Sequence, residues 1–294
     1  MLGRTQRLTA MKALLLYNPL SGKGHRIVRN ISEICAIFRR NDIELKPKRL
    51  SFTENPFKGD EAVDLVVVCG GDGTLNYVIN RMREAGINPT LGIIPSGTAN
   101  DFAGALGMSR RLLVAAQQIA EGTERKVDCG KANGRYFINV LSFGLLTTTS
   151  QHTSDREKRM LGKIAYVREG LRDMIRMHGI PLHIKGDNEE FESEALMFLV
   201  FNGRTAGRIT LARGATIDDG LFDVLLLKKR NPLLNCLDMA QHLVGGGTHA
   251  IRHFRTSKLE ISTSVAEPTD VDGQPGPTFP ITLSCEKGAL RFRC

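Results

Sequence analysis

The sequence predicts an α/β domain built on a parallel sheet over residues 11–128, followed by a β-rich domain over residues 129–294, with the last strand free to return to the first domain. Three observations predict it. In the first half, short continuous aliphatic runs alternate with amphipathic stretches, as strands buried on both faces alternate with covering helices. From about Cys129 onward, strand-length segments follow one another with turn residues between them. The length of 294 residues gives each half enough chain for its own core.

Ala13 to Tyr17, Asp64 to Cys69 and Leu91 to Pro95 are the apolar runs of the first half. Between them, Ile27, Ile31, Ile34 and Phe38 recur at helical spacing over residues 25–40, Leu75 to Glu84 reads as a second helix, and Leu112 to Glu121 repeats the pattern. In the second half the expected strands are Arg135 to Leu141, Pro181 to Lys185, Glu194 to Phe201, Leu221 to Leu227, Leu259 to Thr263 and Ile281 to Ser284. Helical stretches at Leu161 to His178 and Pro232 to Val244 interrupt them. With no long linker between the halves, a ligand-binding cleft between them is expected.

Composition narrows the function classes. Hydrophobic residues make up 41% and charged ones 24%, which excludes a disordered, collagen-like or coiled-coil chain. The longest apolar runs, such as Ala195 to Phe201, fall far short of the roughly 18 residues of a membrane-spanning helix. Residues 1–10, which lack a signal-peptide apolar region and precede a second Met at position 11, are read as an extension or an alternative start, outside the fold. Six cysteines without a C-x-x-C pair read as reduced thiols of a cytosolic protein. Forty Lys and Arg against 31 Asp and Glu give a net charge of +9, which attracts phosphate-bearing partners. Without Trp or an interleaved aromatic platform, nucleic acid is not an expected partner.

The chemistry centres on Gly70-Gly71-Asp72-Gly73-Thr74-Leu75-Asn76, which follows an expected strand and opens an expected helix. Glycines there let backbone approach a phosphate, and a helix N-terminus offers unpaired N–H groups. Asp72 would be repelled by phosphates unless a cation or a protonated hydroxyl intervenes, so it points to metal-assisted phosphoryl chemistry; helix capping is the alternative. Lys23 is followed by Gly24 rather than Ser or Thr, which excludes a P-loop, and Asn76 replaces the third glycine of a dinucleotide fingerprint. Two further loops, Asn18 to Gly24 and Pro95 to Phe102, follow strands of the same sheet and would share its carboxyl edge, where open α/β sheets bind ligands.

NPLSGKG at 18–24, GGDGTLN at 70–76 and PSGTANDFA at 95–103 together resemble the diacylglycerol kinase catalytic-domain family, especially its soluble bacterial lipid kinases. Sphingosine kinases are related, and NAD kinases share the GGDGT loop more distantly. The resemblance continues through Phe137 to Val140, Leu161 to Tyr166, Ala215 to Val224 and Asp272-Gly273-Gln274. It implies an α/β domain that binds ATP with Mg²⁺ and a β-sandwich domain that binds lipid. By position, the nucleotide contacts fall on Asn18, Ser21, Thr53, Gly70, Gly71, Asp72, Gly73, Thr74, Leu75, Asn76, Gly97, Thr98 and Asn100. A structural metal falls on Asp219, with backbone groups of Thr216 and Leu221. The catalytic positions are Asp72, Asp272 and Gln274.

Gln274 is a departure, because the family segment usually reads Asp-Gly-Glu and a Gln cannot take a proton at neutral pH. Asp272 would then polarise the lipid hydroxyl, or the hydroxyl would lose its proton late; from the residues alone Asp-Gly is also a hairpin turn. Two smaller departures lie at Ser142 to Thr147, where an Asp is missing, and at 207–215.

The expected activity is phosphoryl transfer from ATP to diacylglycerol; a sphingoid base, ceramide or phosphatidylglycerol as acceptor, or a binding protein without catalysis, remain open. Arg168, Arg172 and Arg176 form a basic stripe on the helix 161–178, and Lys228 to Arg230 and Arg252 to Arg255 are further basic patches. They suit either an anionic membrane surface, met peripherally from the cytoplasmic side, or plain solvent. The oligomeric state, a homodimer included, is open. His249 and His253 stand four apart but lack the accompanying Glu of a zinc helix.

Overall fold

A computed structural model describes residues 10–19, 24–60, 62–144, 178–203, 205–206, 209–212, 214–243 and 251–294. The chain divides into two units, residues 1–127 with 290–294, and residues 128–289.

The first unit is a parallel sheet covered by helices. Its strands are β1 (Met11–Tyr17), β2 (Ile43–Arg49), β3 (Leu65–Gly70) and β4 (Thr90–Pro95). β1 lies between β2 and β3, β3 pairs in parallel with β4, and Phe292 pairs beside Leu91 on the far side of β4. The aliphatic runs of β3 and β4 are buried along their whole length, the state in which a strand needs no polar face. β2, IELKPKR, is not apparent in the hydropathy pattern; as an edge strand it tolerates Pro47 and a charged outer face. Three helices match the periodicity, α1 (Gly24–Arg39), α2 (Asp72–Glu84) and α4 (Leu112–Glu121), and a short α3 (Asp101–Ala105) follows β4. Ile27, Ile34 and Phe38 of α1, seven and four residues apart, and Leu75, Val78, Ile79 and Met82 of α2 are buried on one face of each helix.

The second unit is β-rich, as the turn signals predict. Its strands are β5 (Glu124–Ala132), which begins in the first unit, β6 (Arg135–Phe137), β7 (Val140–Gly144), β8 (Ile180–Gly186), β9 (Glu190–Phe201), β10 (Thr205–Ala206), β11 (Ile209–Thr210), β12 (Phe222–Lys228), β13 (Ile251–Thr256), β14 (Lys258–Thr263), β15 (Thr269–Val271), β16 (Gln274–Pro275) and β17 (Ile281–Arg293), whose end belongs to the first unit. One helix, α5 (Pro232–Leu243), follows β12. β9 organises the unit: its first half pairs with β8, and its second half pairs with β7 on one side and β12 on the other. Ala195, Phe198 and Val200 join one core cluster and Leu196, Leu199 and Phe201 another, which is why the run has no polar alternation. Phe143 stacks on Phe198 with ring centroids 5.0 Å apart.

One sequence expectation needs correction. The expected strand Arg135 to Leu141 is two strands, β6 and β7, because the backbone at Ile138–Val140 turns its N–H groups to the carboxylate of Asp272 instead of a ladder. His253 lies in the strand of residues 251–256. Residues 161–177 of the expected second-half helix, with its arginine stripe, residues 1–9 and His249 lie outside the described residues. Among the described residues no helix is long and apolar enough to cross a membrane, and Cys35, Cys69, Cys129, Cys285 and Cys294 are free thiols.

Candidate active site

In the first unit, adjacent parallel strands deliver two glycine loops to one sheet edge. β3 and β4 run in register to Gly70 opposite Pro95, and the Ser96 N–H extends the ladder by one bond to the Gly70 carbonyl at 2.9 Å. There the backbones nearly touch. A Cβ added to Gly97 would stand 2.5 Å from the Gly71 Cα, and one added to Gly71 would stand 3.0 Å from the Gly97 Cα. At Gly70 the space for a Cβ is filled by Thr74, 2.5 Å away.

Asn100 fixes the second loop. It adopts a left-handed conformation, φ 55°, a region Asn tolerates better than most residues. Its side-chain oxygen accepts the Gly97 N–H at 2.9 Å and its amide donates to the Gly97 carbonyl at 2.8 Å. Asp72 ties the two loops together: its carboxylate accepts the N–H groups of Asp101 and Phe102, both at 3.0 Å. Asp72 is therefore a helix cap, but of α3 rather than of the helix it begins. Its own helix starts at Gly71 without a side-chain cap, so the first-turn N–H groups of α2 have no capping side chain and suit an anion.

The remaining expected contacts of this unit fall around that edge. Asn18 directly follows β1, and Ser21 lies outside the described residues. Thr53 sits in a loop whose Ser51 and Glu54 carbonyls both accept the Tyr77 hydroxyl of α2 at 3.2 Å, and its own hydroxyl pairs with that of Ser51 at 2.8 Å. Gly73 and Leu75 lie in the first turn of α2, and Asn76, 2% exposed, binds Asn80 one turn on. Thr98 lies in the loop between β4 and α3. One residue escaped the sequence reading: Ser96 is buried at the Gly70 carbonyl, and its hydroxyl has no hydrogen-bond partner among the described residues. Its place inside the PSGTAND segment was the available signal.

In the second unit, Asp272 and Gly273 are the two central residues of the β15–β16 hairpin, with φ of 51° and 83°. The Asp272 carboxylate accepts three backbone N–H groups, from Ile138 at 2.8 Å, Asn139 at 2.9 Å and Val140 at 3.0 Å. Gln274 accepts a bond from the Arg135 guanidinium at 2.9 Å. Asp270 is buried at the hairpin base and accepts the Gly273 N–H at 2.8 Å. Burial pushes its pKa up, against the opposing pull of that N–H and of Arg135.

Thr216, Asp219 and Leu221 also meet, though not as a cation site. The Asp219 carboxylate accepts the Thr216 hydroxyl at 2.7 Å, the Leu221 N–H at 2.9 Å and the Arg255 guanidinium. Those donors take three of its four lone-pair sites, one of them with a guanidinium whose positive charge would repel a second cation, so the arrangement does not fit Mg²⁺. No group of three or more His, Cys, Asp or Glu suited to a metal occurs among the described residues. Nearby, the Cys285 thiol is pushed up to about 12 by burial and by Asp128 and Asp219, so it is no nucleophile.

Comparison with known proteins agrees with this architecture. The diacylglycerol kinase catalytic domain model matches residues 12–132, and the YegS C-terminal NAD kinase beta sandwich-like domain model matches residues 139–294. Diacylglycerol kinase of Staphylococcus saprophyticus is 33% identical over 290 residues, covering 92% of this chain and 90% of that protein. Diacylglycerol kinase of Bacillus subtilis is 31% identical over 279 residues, covering 92% and 91%. A crystal structure from Bacillus anthracis superimposes with a TM-score of 0.80 at 28% identity, covering 96% of both chains. Fold and glycine loops thus define a lipid kinase, an α/β catalytic unit followed by a sandwich-like β unit. Within that class, the chain belongs to the diacylglycerol kinase family.

Proposed function

We propose that the chain transfers the γ-phosphoryl group of ATP to the free hydroxyl of diacylglycerol, giving phosphatidic acid and ADP. The observation that carries this reading is the backbone contact of Gly71 with Gly97, a cradle that a single Cβ would fill, beside the uncapped first turn of α2. Phosphoryl transfer through a loose transition state needs positioning and charge neutralisation more than covalent help. In this reading the first-turn N–H groups of α2 face the phosphate oxygens, which approach along the backbone contact of Gly71 with Gly97. The acceptor oxygen forms its bond to phosphorus as the bond to ADP breaks, and the hydroxyl proton leaves late, to a phosphate oxygen or to water. Magnesium enters as part of the nucleotide substrate, and no step is assigned to Asp219. Asp72 acts by holding α2 and α3 in one geometry, and Asp272 by fixing the Ile138–Val140 backbone; both are positioning residues.

The acceptor sits in a membrane, and the net charge of +9 supports peripheral docking on anionic lipid. The test is transfer from labelled ATP to diacylglycerol, a sphingoid base, ceramide and phosphatidylglycerol in vesicles with and without anionic lipid, with Asp72→Ala as control. Labelled phosphatidic acid, lost in the control and promoted by anionic lipid, is expected. Label on another acceptor would reassign the substrate, and vesicle binding indifferent to lipid charge would remove the docking reading. Gln274 in place of a family Glu favours one second reading, a nucleotide-binding protein without turnover; ATP binding with no labelled product on any acceptor would establish it.

A further inference from the structure

The Asp219 turn holds a charge arrangement that the family's metal does not explain. β12 and β13 pair antiparallel with Asp223 opposite Arg255, which brings the guanidinium over two carboxylates. It bonds Asp219 through Nη2, and its Nε lies 3.5 Å from Asp223 Oδ2. Asp223 is 1% exposed; its Oδ1 meets His253 Nε2 at 2.6 Å, while Oδ2 has no hydrogen-bond partner and faces the guanidinium across that longer ion pair. Asp128, also 1% exposed, accepts the N–H groups of Gly220 at 2.6 Å and Gly288 at 2.7 Å. Asp219 and Asp223, both within reach of one guanidinium, call for a compensating cation, since buried charges are tolerated when paired. Arg255 supplies one that is always charged, planar and equipped with donors pointing two ways.

We propose that Arg255 is the resident cation of this acidic turn, standing where a divalent ion would otherwise neutralise Asp219. The turn Asp219-Gly220-Leu221 is then held by Arg255, Thr216 and the backbone, and the chain needs magnesium only for its nucleotide. Lysine would keep the charge but lose the fork that spans Asp219 and Asp223.

Thermal melting of the full chain without nucleotide, in EDTA and in millimolar Mg²⁺, tests this together with Mn²⁺ binding followed by electron paramagnetic resonance. The wild-type chain is expected to melt at the same temperature in both and to hold no tightly bound Mn²⁺. Arg255→Ala is expected to melt about 5 °C lower or more and to recover part of the loss when Mg²⁺ is added. A wild-type melting point raised by Mg²⁺, or a Mn²⁺ site that disappears in Asp219→Asn, overturns the proposal, as does an Arg255→Ala protein as stable as the wild type. Should Arg255→Ala fail to fold, Arg255→Lys keeps the test open: it should fold and melt below the wild type, and a melting point equal to the wild type's counts against the guanidinium fork.

Discussion

Asp72 shows how one carboxylate can serve two elements. Its sequence neighbours suggest either phosphate chemistry or a cap for its own helix, and its two oxygens instead hold the N–H groups of Asp101 and Phe102, about thirty positions on. Asp72→Ala should therefore lose stability as well as activity: about 1–2 kcal/mol, the cost of a strong cap, and at least ~100-fold in turnover, since a small misplacement of reacting groups carries a penalty of that order. Calorimetry and steady-state kinetics on one preparation check both; full activity in a folded variant would remove Asp72 from the site. Gln274 calls for a different expectation. Because Arg135 donates to its side-chain oxygen, a carboxylate placed there would meet a guanidinium and be a weaker base for it. Gln274→Glu should change turnover by less than about tenfold, and a larger gain would mark residue 274 as a proton acceptor in waiting.

Among the elements, the two glycine loops and the β15–β16 hairpin make the clearest predictions. Gly97→Ala places a methyl group 2.5 Å from the Gly71 Cα, where backbone cannot retreat without spreading β3 from β4. ATP binding by titration calorimetry should fall by at least ~10-fold, given what overpacking costs in a filled space; binding equal to the wild type would move the phosphate site elsewhere. In the hairpin, buried Asp270 has a folded-state pKa above its unfolded one, so the folded chain keeps a proton that the unfolded chain has released, and stability falls as pH rises from about 4. Asp270→Asn keeps an oxygen for the Gly273 N–H and removes that titration. It should melt higher than the wild type at neutral pH, with the gain vanishing as pH falls through the ordinary Asp range. These elements also mark how far the sequence could be read. The glycine loops after β3 and β4, the helices α1, α2 and α4 and the fully buried strands are local patterns, and they stand where periodicity and turn chemistry place them. The break at Ile138–Val140 and the Arg255 pairing depend on partners far along the chain, Asp272 and Asp219, so no window of sequence contains their cause. β2 was hidden for another reason: an edge strand buries too little to show a hydrophobic run.

For the molecule as a whole, the informative feature is residues 290–294, which lie with the first unit although they follow the second in sequence. Phe292 is fully buried, pairs beside Leu91 on β4 and packs on Phe102 with ring centroids 5.2 Å apart. Arg293 binds the carbonyls of Ala120 and Gly122 at 3.1 and 3.0 Å, closing the end of α4. Phe292→Ala should cost about 3–5 kcal/mol, as emptying an aromatic site in a core does. It should also weaken nucleotide binding, because Phe102 stands in the helix that Asp72 caps; a variant of wild-type stability would show that the strand end is dispensable.

The same strand end sets an order of events during synthesis. Domains commonly fold as they emerge from the ribosome, the N-terminal one first. Here the half that emerges first lacks Phe292 and Arg293 until residues 128–289 have been made, and the bare edge of β4 waits for them. The edge of β4 is thus left without its partner in a partly synthesised chain, and a ribosome stalled before residue 290 would display an unfinished sheet to chaperones.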